Sequence, residues 1–297
     1  MHRILALLAR PSVRPNPQDI NDTPIAMPTR AEKGNAFRAL HQRNYAFIIP
    51  NPYDIGTARV LAYLGFEALA TTSMGFAFSK GKRDNSVDRA AVLEHVAEIA
   101  SATDLPVSAD LENGFGDDPE VVAQTIRLAA EAGAVGGSIE DATGRDDGPI
   151  YCLEHAVARV QGAAEAAHSL PSAFTLTARA ENYLHGRPDL KDTITRLQAY
   201  QEAGADVLYA PCPNTKEEIA TILSSVDRPV NVVMGLRGVQ LSLAELSQMG
   251  VKRVSIGSTL ARAAMGAFLR GAREMRDHGT FDFAKSAASA SEISAIF

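Results

Sequence analysis

Acidic side chains follow two apolar segments that come one after the other along the chain. Asp110 and Glu112 occur in the stretch SADLENGFG, and Glu140 occurs in SIED. Carboxylates that meet at one place repel one another unless they share protons or a cation. Oxygen ligands of this kind suit Mg²⁺ or Mn²⁺ with several retained waters. The pattern therefore predicts a magnesium or manganese site; the alternative is that these acids are solvated loop residues or helix caps.

An arginine stands at the end of another apolar segment. Arg179 occurs in TARAEN, where Glu181 follows it, and a buried guanidinium needs an anionic partner. One interpretation is a bidentate clamp on a substrate carboxylate or phosphonate. The other is an internal ion pair with Glu112 or Glu140, and both can hold at once. His185, in YLHGRPD, is the histidine nearest to this region, either as an acid or base or as a residue that orders the loop.

Small and hydroxyl residues follow a further apolar segment. Thr72, Ser73 and Gly75 lie in the stretch TTSMGFAFSK, where backbone N–H groups can bind an anionic group. The alternative is an ordinary surface loop. Asn231 is the second residue of the later segment VNVVMG, and glycines after this segment and the next one weakly resemble a phosphate site. We count these four residues as candidate substrate-binding residues.

Short apolar segments recur along the chain and are typical of strands buried on both faces of a parallel sheet. The eight predicted strands are Ala46–Pro50, Glu67–Thr72, Pro106–Asp110, Ala134–Asp141, Phe174–Ala180, Ala205–Pro211, Val230–Gly235 and Arg253–Ser258. Amphipathic stretches separate them and predict helices. These helices are Asp54–Leu64, Val87–Thr103, Pro119–Ala132, Cys152–His168, Asp189–Ala203, Asn214–Ser225, Ser242–Met249 and Thr259–His278.

The joints between these elements favour one α/β architecture. Helices end in the pairs Leu64-Gly65, Ala132-Gly133, Ala203-Gly204 and Met249-Gly250, and a strand follows each pair. Four copies of this joint, within an eight-fold alternation of strands and helices, predict a (β/α)8 TIM barrel. An open doubly wound sheet is the alternative, but the turn NPYDIG lacks its glycine pattern. The tail, 281–297, predicts an extra C-terminal helix, packed outside the barrel or on a neighbouring subunit.

The beginning of the chain differs from the rest. The stretch PNPQDINDTP is rich in Pro, Asn and Asp, so residues 1–35 are predicted to be a flexible N-terminal extension. The alternatives are that Met27 is the true start, or that an Arg-bearing targeting leader precedes the barrel. Residues 36–297 are predicted to form a single barrel domain that includes the C-terminal helices.

Composition excludes several classes of protein. The chain has 297 residues, of which 46% are hydrophobic and 22% charged, which excludes a disordered or collagen-like chain. A net charge of −6 disfavours a nucleic-acid partner. No apolar run reaches the roughly 18 residues of a membrane helix, so no membrane partner is expected. Cys152 and Cys212 have no metal or redox spacing, so we expect reduced thiols in a cytoplasmic protein.

Taken together, these residues resemble the isocitrate lyase and phosphoenolpyruvate mutase superfamily over about residues 37–297. The most specific stretch is ADLENGFG, where the family has Asp-x-Asp, a small polar residue and Gly-aromatic-Gly. Asp110 matches the first acid, and Glu112 replaces the second. The other matches are Glu140 after the fourth strand, Arg179 as the substrate-binding arginine, Asp84 on the loop after the second strand, and 72–75 at the backbone pocket.

This resemblance implies a chemistry and an assembly. Family members bind Mg²⁺ through the acids, mostly by way of water, which implies Asp84, Asp110, Glu112 and Glu140 as the metal shell. The ligand is a small 2-oxo acid or its enolate, and a divalent cation stabilises the negative charge of the enolate oxygen. The resemblance also implies a homotetramer, a dimer of dimers, in which neighbours exchange the C-terminal helix.

The departures from the family pattern concern the loop after the fourth strand. The lyase branch has a Lys-Lys/Arg-Cys-Gly-His segment there, whose cysteine is the general acid, and the mutase branch has a Lys with a Thr or Asn. Here Thr143, Arg145, Asp146 and Asp147 stand on the loop, and Cys152 falls too late to replace the acid. The chain therefore resembles a divergent branch, and the motif does not define the bond that it breaks.

Three functional hypotheses follow. The first is a Mg²⁺-dependent lyase that cleaves a C–C bond in a small 2-hydroxy or 2-oxo (di)carboxylate, as in 2-methylisocitrate lyase or an oxaloacetate-cleaving enzyme. The second is a mutase or hydrolase acting on the C–P bond of a phosphonopyruvate-like substrate, and the third is a non-catalytic barrel that binds a 2-oxo acid. Glu181, His185 and Tyr53 are candidates for the acid or base. A Schiff-base aldolase is disfavoured because no lysine lies within a predicted strand.

Overall fold

The computed structural model describes residues 27–297 and contains eight parallel strands. The strands are β1 Phe47–Ile49, β2 Leu69–Ala70, β3 Val107–Asp110, β4 Gly136–Glu140, β5 Thr175–Arg179, β6 Val207–Tyr209, β7 Val230–Val233 and β8 Arg253–Ser255. Their order in the sheet is β1-β8-β7-β6-β5-β4-β3-β2. A hydrogen bond of 3.1 Å from Ala70 N to Pro50 O links the two ends of the sheet. The predicted (β/α)8 barrel is confirmed.

Helices surround the strands and continue beyond them. They are α1 Arg30–His41, α2 Ile55–Tyr63, α3 Ser73–Ser79, α4 Arg89–Ala102, α5 Pro119–Glu131, α6 Leu153–His168, α7 Leu190–Glu202, α8 Lys216–Ser225, α9 Leu243–Met249, α10 Thr259–His278 and α11 Ala290–Ser294. A 3₁₀ helix, Asp282–Ser286, lies between α10 and α11, so the predicted extra C-terminal helix is present. None of the helices in 27–297 is long and apolar enough to cross a membrane.

The predicted joints between helices and strands have a common backbone geometry. Gly133 and Gly204, at two of these joints, have φ values of +99° and +102°. A side chain at Gly204 would also bring a Cβ within 2.9 Å of the Cβ of Ala164. Only glycine adopts this conformation at little cost, so these joints end the helices where the sequence predicts.

Two short helices were not predicted. The first is α1, within which the predicted domain boundary after residue 35 falls, and Thr29 and Glu32 form a capping box at its start. Phe37 on α1 is fully buried against β1. The second helix is α3, which Thr72 caps in a stretch predicted to be a loop. Residues 1–26, with the predicted extension and leader, lie outside the described residues.

The apolar core lies between the strands and the surrounding helices. One cluster joins β5–β8 to α6–α9, with Leu197 and Tyr200 of α7 fully buried. A second joins β3–β5 to α4–α6, with Ile126 of α5 at its centre. The apolar side chains of the strands pack against the helices. The core therefore does not use the polar side chains at the carboxyl ends of the strands, which can form a site.

Candidate active site

A cavity of about 350 Å³ opens at the carboxyl ends of the strands. This volume lies in the range of small-molecule sites. Most of the predicted site residues line it: Thr72, Ser73, Asp84, Asp110, Glu140, Arg179, Glu181, His185 and Asn231. The cavity is therefore the candidate active site.

Arg179, the last residue of β5, is the centre of the charged groups in this cavity. Its Nη1 lies 3.0 Å from Oδ1 of Asp110 and 3.1 Å from Oε2 of Glu140. Its Nε lies 2.9 Å from Oε1 of Glu181. The ring of Tyr209 on β6 lies beside the guanidinium, 5.2 Å from its carbon. The internal ion pair with Glu140 is thus present, and Arg179 has no ion pair with Glu112.

The acids outnumber this arginine, and their pKa values reflect the imbalance. Burial, followed by the charges of Asp110 and Asp84, raises the pKa of Glu112 to about 8. Burial raises the pKa of Glu140 well above its ordinary value and also raises that of Glu181. The pKa of Asp84 is raised by burial and by Asp110. One arginine does not balance these acids, so some of them hold protons at neutral pH unless a cation takes the place of those protons.

The residues present fit a divalent cation held largely through water. Oδ1 of Asp84 is buried and has no hydrogen-bond partner in the described part of the chain. In 27–297, no three His, Cys, Asp or Glu side chains lie close enough together to hold a metal ion directly. Mg²⁺ commonly keeps several waters and binds through only one or two carboxylates, so these two observations are compatible.

Glu112 reaches this cluster from a strained backbone position. It is buried and has a φ of +49°, in the left-handed region, and Phe115 in the same turn has a φ of +63°. Its carbonyl accepts a hydrogen bond of 2.9 Å from the N–H of Glu140. Non-glycine residues in this conformation cost of order 1–3 kcal/mol and cluster at functional sites. This hydrogen bond holds the turn after β3 against the end of β4. The last residues of these two strands, Asp110 and Glu140, are predicted metal ligands.

The segment after β2 is a helix start and not an open loop. The Ser73 N–H donates to Oδ2 of Asp110 at 3.0 Å, and the Gly75 N–H donates to Oγ1 of Thr72 at 3.3 Å. Gly75 does not line the cavity. It lines a separate apolar pocket with Tyr53 and Phe268 instead. Three predicted site residues therefore do not line the cavity: Tyr53, Gly75 and Glu112.

His185 lies at the rim of the cavity, on the loop after β5. Burial lowers the pKa of this histidine below its ordinary value, so the ring is neutral at neutral pH. A neutral imidazole can accept a proton, which makes it a base in this position. Leu184 also lines the cavity. This loop therefore supplies both an apolar cover and a group that can take up a proton.

Asp141, next to Glu140, has a structural role. Its Oδ2 accepts hydrogen bonds from Nη1 of Arg196 at 3.0 Å and from the Tyr200 hydroxyl at 2.6 Å. Its Oδ1 accepts from the Glu181 N–H at 2.8 Å. The carboxylate is buried behind the cavity and fixes the backbone on which Glu181 stands.

The sequence reasoning missed two polar residues of the cavity. Asn51, after β1, donates to Thr71 O at 2.9 Å and accepts from Ile256 N at 3.1 Å, which fastens β1 to both of its neighbours. Arg253, the first residue of β8, is buried and lines the cavity floor. Arg253 stands in an apolar strand, as Arg179 does. The sequence criterion that identified Arg179 therefore applies to Arg253 as well.

The fold and this cluster agree with a comparison to known protein families. The phosphoenolpyruvate phosphomutase profile matches residues 37–276, which is most of the chain. The chain belongs to the phosphoenolpyruvate phosphomutase family. This membership confirms the predicted superfamily and the prediction of an enzyme of that superfamily.

Relatives of this phosphomutase-family chain differ in their assigned activities. The chain is 33% identical to an uncharacterized protein of Mycobacterium tuberculosis, over 82% of this chain and 89% of that protein. It is 27% identical to 2-methylisocitrate lyase of Halalkalibacterium halodurans, over 85% of each chain. Similarity to C–C lyases supports the lyase or mutase class, and it leaves the substrate open.

Solved structures of family members have the same fold. A Burkholderia cenocepacia protein, provisionally assigned as a lyase or mutase, is 64% identical with a TM-score of 0.87, over 90% of this chain and 95% of that one. A phosphonopyruvate hydrolase in complex with oxalate and Mg²⁺ is 25% identical with a TM-score of 0.78, over 89% of this chain and 94% of that one. A structural relative thus carries both the metal and an oxalate ligand.

Proposed function

We propose that the protein is a Mg²⁺-dependent lyase that cleaves a C–C bond in a small 2-hydroxy or 2-oxo carboxylate and leaves a pyruvate-type enolate. The observation that carries this proposal is the surplus of carboxylates around Arg179 at the cavity. The acids are Asp84, Asp110, Glu112, Glu140 and Glu181, and Arg179 is paired with three of them. A site with this charge suits a cation together with an anionic substrate.

Four acids are proposed to hold the cation, mainly through water: Asp84, Asp110, Glu112 and Glu140. When bound, Mg²⁺ or Mn²⁺ supplies positive charge that stabilises the negative charge on an enolate oxygen. Arg179 is proposed to orient the substrate carboxylate while it keeps Asp110 and Glu140 in place. Thr72 and Ser73, at the start of α3, line the same wall of the cavity and complete the pocket for this carboxylate.

The acid and the base are proposed to come from the β5 end. Glu181 is almost fully buried, and burial raises its pKa, which favours a carboxyl that can donate a proton. His185 is neutral at the rim and can accept one. Tyr53 lines a different pocket, so it is not proposed for either role.

A second candidate activity acts on a C–P bond. It is favoured by similarity to the phosphonopyruvate hydrolase and to a Burkholderia cenocepacia protein provisionally assigned as a phosphonomutase, 34% identical with a TM-score of 0.77. A C–P enzyme would need the same enolate stabilisation but would release or transfer phosphate. The products therefore distinguish the two activities.

The test is a substrate panel with two readouts. Purified protein with Mg²⁺ is incubated with 2-methylisocitrate, 2,3-dimethylmalate, oxaloacetate and phosphonopyruvate, and 2-oxo acid products and phosphate are measured separately. We expect a 2-oxo acid product without phosphate, lost in EDTA and in Asp110→Asn. Phosphate release would favour the second activity. Tight binding of oxalate with Mg²⁺ but no turnover of any compound would favour the non-catalytic barrel.

The C-terminal region supports a proposal about assembly as a homotetramer. Phe268 on α10 is 72% exposed, and Phe281 and Phe297 are 66% and 62% exposed. Such exposed aromatic side chains are typical of an interface between copies of a chain. Light scattering should give four chains for the wild type and fewer for Phe268→Glu. Tyr63→Glu, at an exposed aromatic on α2, should leave the assembly unchanged. A monomeric wild type would contradict the proposal.

A further inference from the structure

Four cavity-lining residues form one row across neighbouring strands. Arg179 on β5 pairs in register with Tyr209 on β6, Tyr209 with Asn231 on β7, and Asn231 with Arg253 on β8. All four line the cavity. The row therefore has an arginine at each end, and the two guanidinium groups differ in their partners.

Arg253 has no anionic partner. Its Nε donates to Oδ1 of Asn231 at 2.8 Å, while its buried Nη1 has no hydrogen-bond partner in the described residues. The side chain is only 5% exposed, and no ion pair within 27–297 includes it. Arg179, by contrast, has three carboxylates within 3.1 Å. A buried charge without a partner costs free energy, so such an arrangement needs a compensating ligand.

The charge of Arg253 persists at neutral pH. Burial lowers its pKa to about 10, and Arg179 contributes to the lowering while Tyr209 opposes it. His41 of α1 interacts electrostatically with this charge, and burial, followed by the charge of Arg253, lowers the pKa of His41 to about 3. A neutral histidine cannot compensate a guanidinium. The nearest protein groups thus leave the positive charge of Arg253 facing the cavity.

Arg159 is a buried arginine with a structural role, and it serves as a comparison for Arg253. Arg159 on α6 is 1% exposed and also lacks an ion pair among the described residues. It donates to the carbonyls of Asn113 and Gly116, and its guanidinium carbon lies 4.0 Å from the centre of the Tyr151 ring. Arg159 lines no part of the cavity, whereas Arg253 does. The Nε and Nη1 of Arg159 are also buried without a hydrogen-bond partner in the described residues, so an unused buried donor does not by itself indicate a ligand. The feature that distinguishes Arg253 is its position on the wall of the open cavity.

We propose that Arg253 is a specificity-determining residue, which binds the distal anionic group of the substrate at the cavity and so gives the site its preference for a diacid over the matching monoacid. The reacting end lies at the carboxylate cluster, and the distal carboxylate accepts hydrogen bonds from Nη1 of Arg253. Asn231 is a positioning residue in this arrangement, because its Oδ1 accepts from Arg253 and its Nδ2 donates to Ser255 Oγ at 3.0 Å. The proposal deepens the proposed function and rests on the same cavity.

The experiment compares acids that differ only at the distal end. Binding in the presence of Mg²⁺ is measured by calorimetry for oxaloacetate, 2-oxoglutarate and 2-oxoadipate and for the monoacids in which a methyl group replaces the distal carboxylate. Oxalate, which has no distal group, reports on the reacting end alone. The variants are Arg253→Gln, Arg253→Lys and, as a matched buried arginine outside the cavity, Arg159→Gln.

We expect at least one diacid to bind the wild type about ten- to one-hundred-fold more tightly than its monoacid, the range expected for a hydrogen bond to a charged group. Arg253→Gln should abolish this preference and leave the Kd of oxalate unchanged, Arg253→Lys should keep part of it, and Arg159→Gln should keep all of it. A preference that survives in Arg253→Gln, or equal binding or no binding of both acids in the wild type, overturns the proposal.

The folding of the variants provides a second readout. Without ligand, Arg253→Gln should melt at the same temperature as the wild type or higher, because it removes an uncompensated buried charge. A markedly lower melting temperature would assign Arg253 a structural role and overturn the proposal. The proposed lyase activity is tested separately. If the wild type turns over no substrate, the binding data still decide whether Arg253 gives a preference for diacids.

Discussion

The backbone N–H of Ser73 donates a hydrogen bond of 3.0 Å to Oδ2 of Asp110. Oδ1 of the same carboxylate lies 3.0 Å from Nη1 of Arg179, so both oxygens have a fixed partner. The Asp110 N–H, in turn, donates to Oγ1 of Thr71 at 2.8 Å. One side chain thus connects β3 to the start of α3 and to the end of β5, and its orientation is set before any ligand binds.

This rigidity makes Asp110 the first residue to test for cation binding. Wild-type protein should gain thermal stability when Mg²⁺ and oxalate are added together, by about 2.7 kcal/mol at a hundredfold excess over Kd. Asp110→Asn should lose this gain, because the cluster loses a charge. Asp227→Asn, at an exposed acid far from the cavity, should keep it. An unchanged gain in Asp110→Asn would remove Asp110 from the metal shell.

Glu112 predicts a pH dependence of stability in EDTA. Its pKa is about 8 in the folded protein and 4.5 in the unfolded chain, so the folded state binds more protons between these values. The free energy of unfolding should therefore fall as the pH rises from about 4.5 to about 8, by an amount on the order of a few kcal/mol. Glu112→Gln should remove this part of the fall and be more stable than the wild type at about pH 8.5.

Urea unfolding at about pH 6 and about pH 8.5 measures the effect. Glu131→Gln, at an exposed acid on α5 without hydrogen-bond partners among the described residues, serves as the control and should follow the wild type. Parallel pH profiles for the wild type and Glu112→Gln would show that Glu112 does not hold a proton in the folded state.

The barrel could be predicted from the sequence because its signals are local. Each strand is an apolar run and four of the joints end at a glycine, so neither feature requires knowledge of distant residues. α1 and α3 were missed for different reasons. α1 begins with a capping box in a polar stretch that reads as a tail, and α3 has only seven residues, too few for a clear helical period.

The sequence predicts which strand ends carry the site, but it does not predict the direction in which each side chain points. Glu140 and Asp141 are neighbours in SIED, and only the structure shows that Glu140 faces the cavity while Asp141 faces Arg196 and Tyr200. Tyr53 follows β1 as Asn51 does, yet only Asn51 reaches the cavity. Direction depends on backbone angles and packing partners, which spacing along the chain does not encode.

Arg179 should be essential for folding as well as for binding. Arg179→Gln leaves the buried side chains of Asp110, Glu140 and Glu181 without their cation, and breaking a buried pair costs about 3–5 kcal/mol. The loss should shrink at low pH, because the unpaired carboxyls can then take up protons. Chemical denaturation at about pH 5.5 and about pH 8 measures it. A loss that is equal at both pH values would contradict this account.

The neighbours Glu140 and Asp141 should separate binding from folding. Asp141→Asn weakens the bonds from Arg196 and Tyr200 to a carboxylate that is 3% exposed, so we expect a loss of roughly 3–5 kcal/mol in the free energy of unfolding. The stability gained with Mg²⁺ and oxalate should remain, because Asp141 does not line the cavity.

Glu140→Gln should give the opposite result. It removes one of several mutually repelling acids, so stability should change little, while the gain with Mg²⁺ and oxalate should disappear. Thermal melts of both variants with and without the two ligands measure the contrast, and equal losses of binding in both would show that the two acids act as one unit.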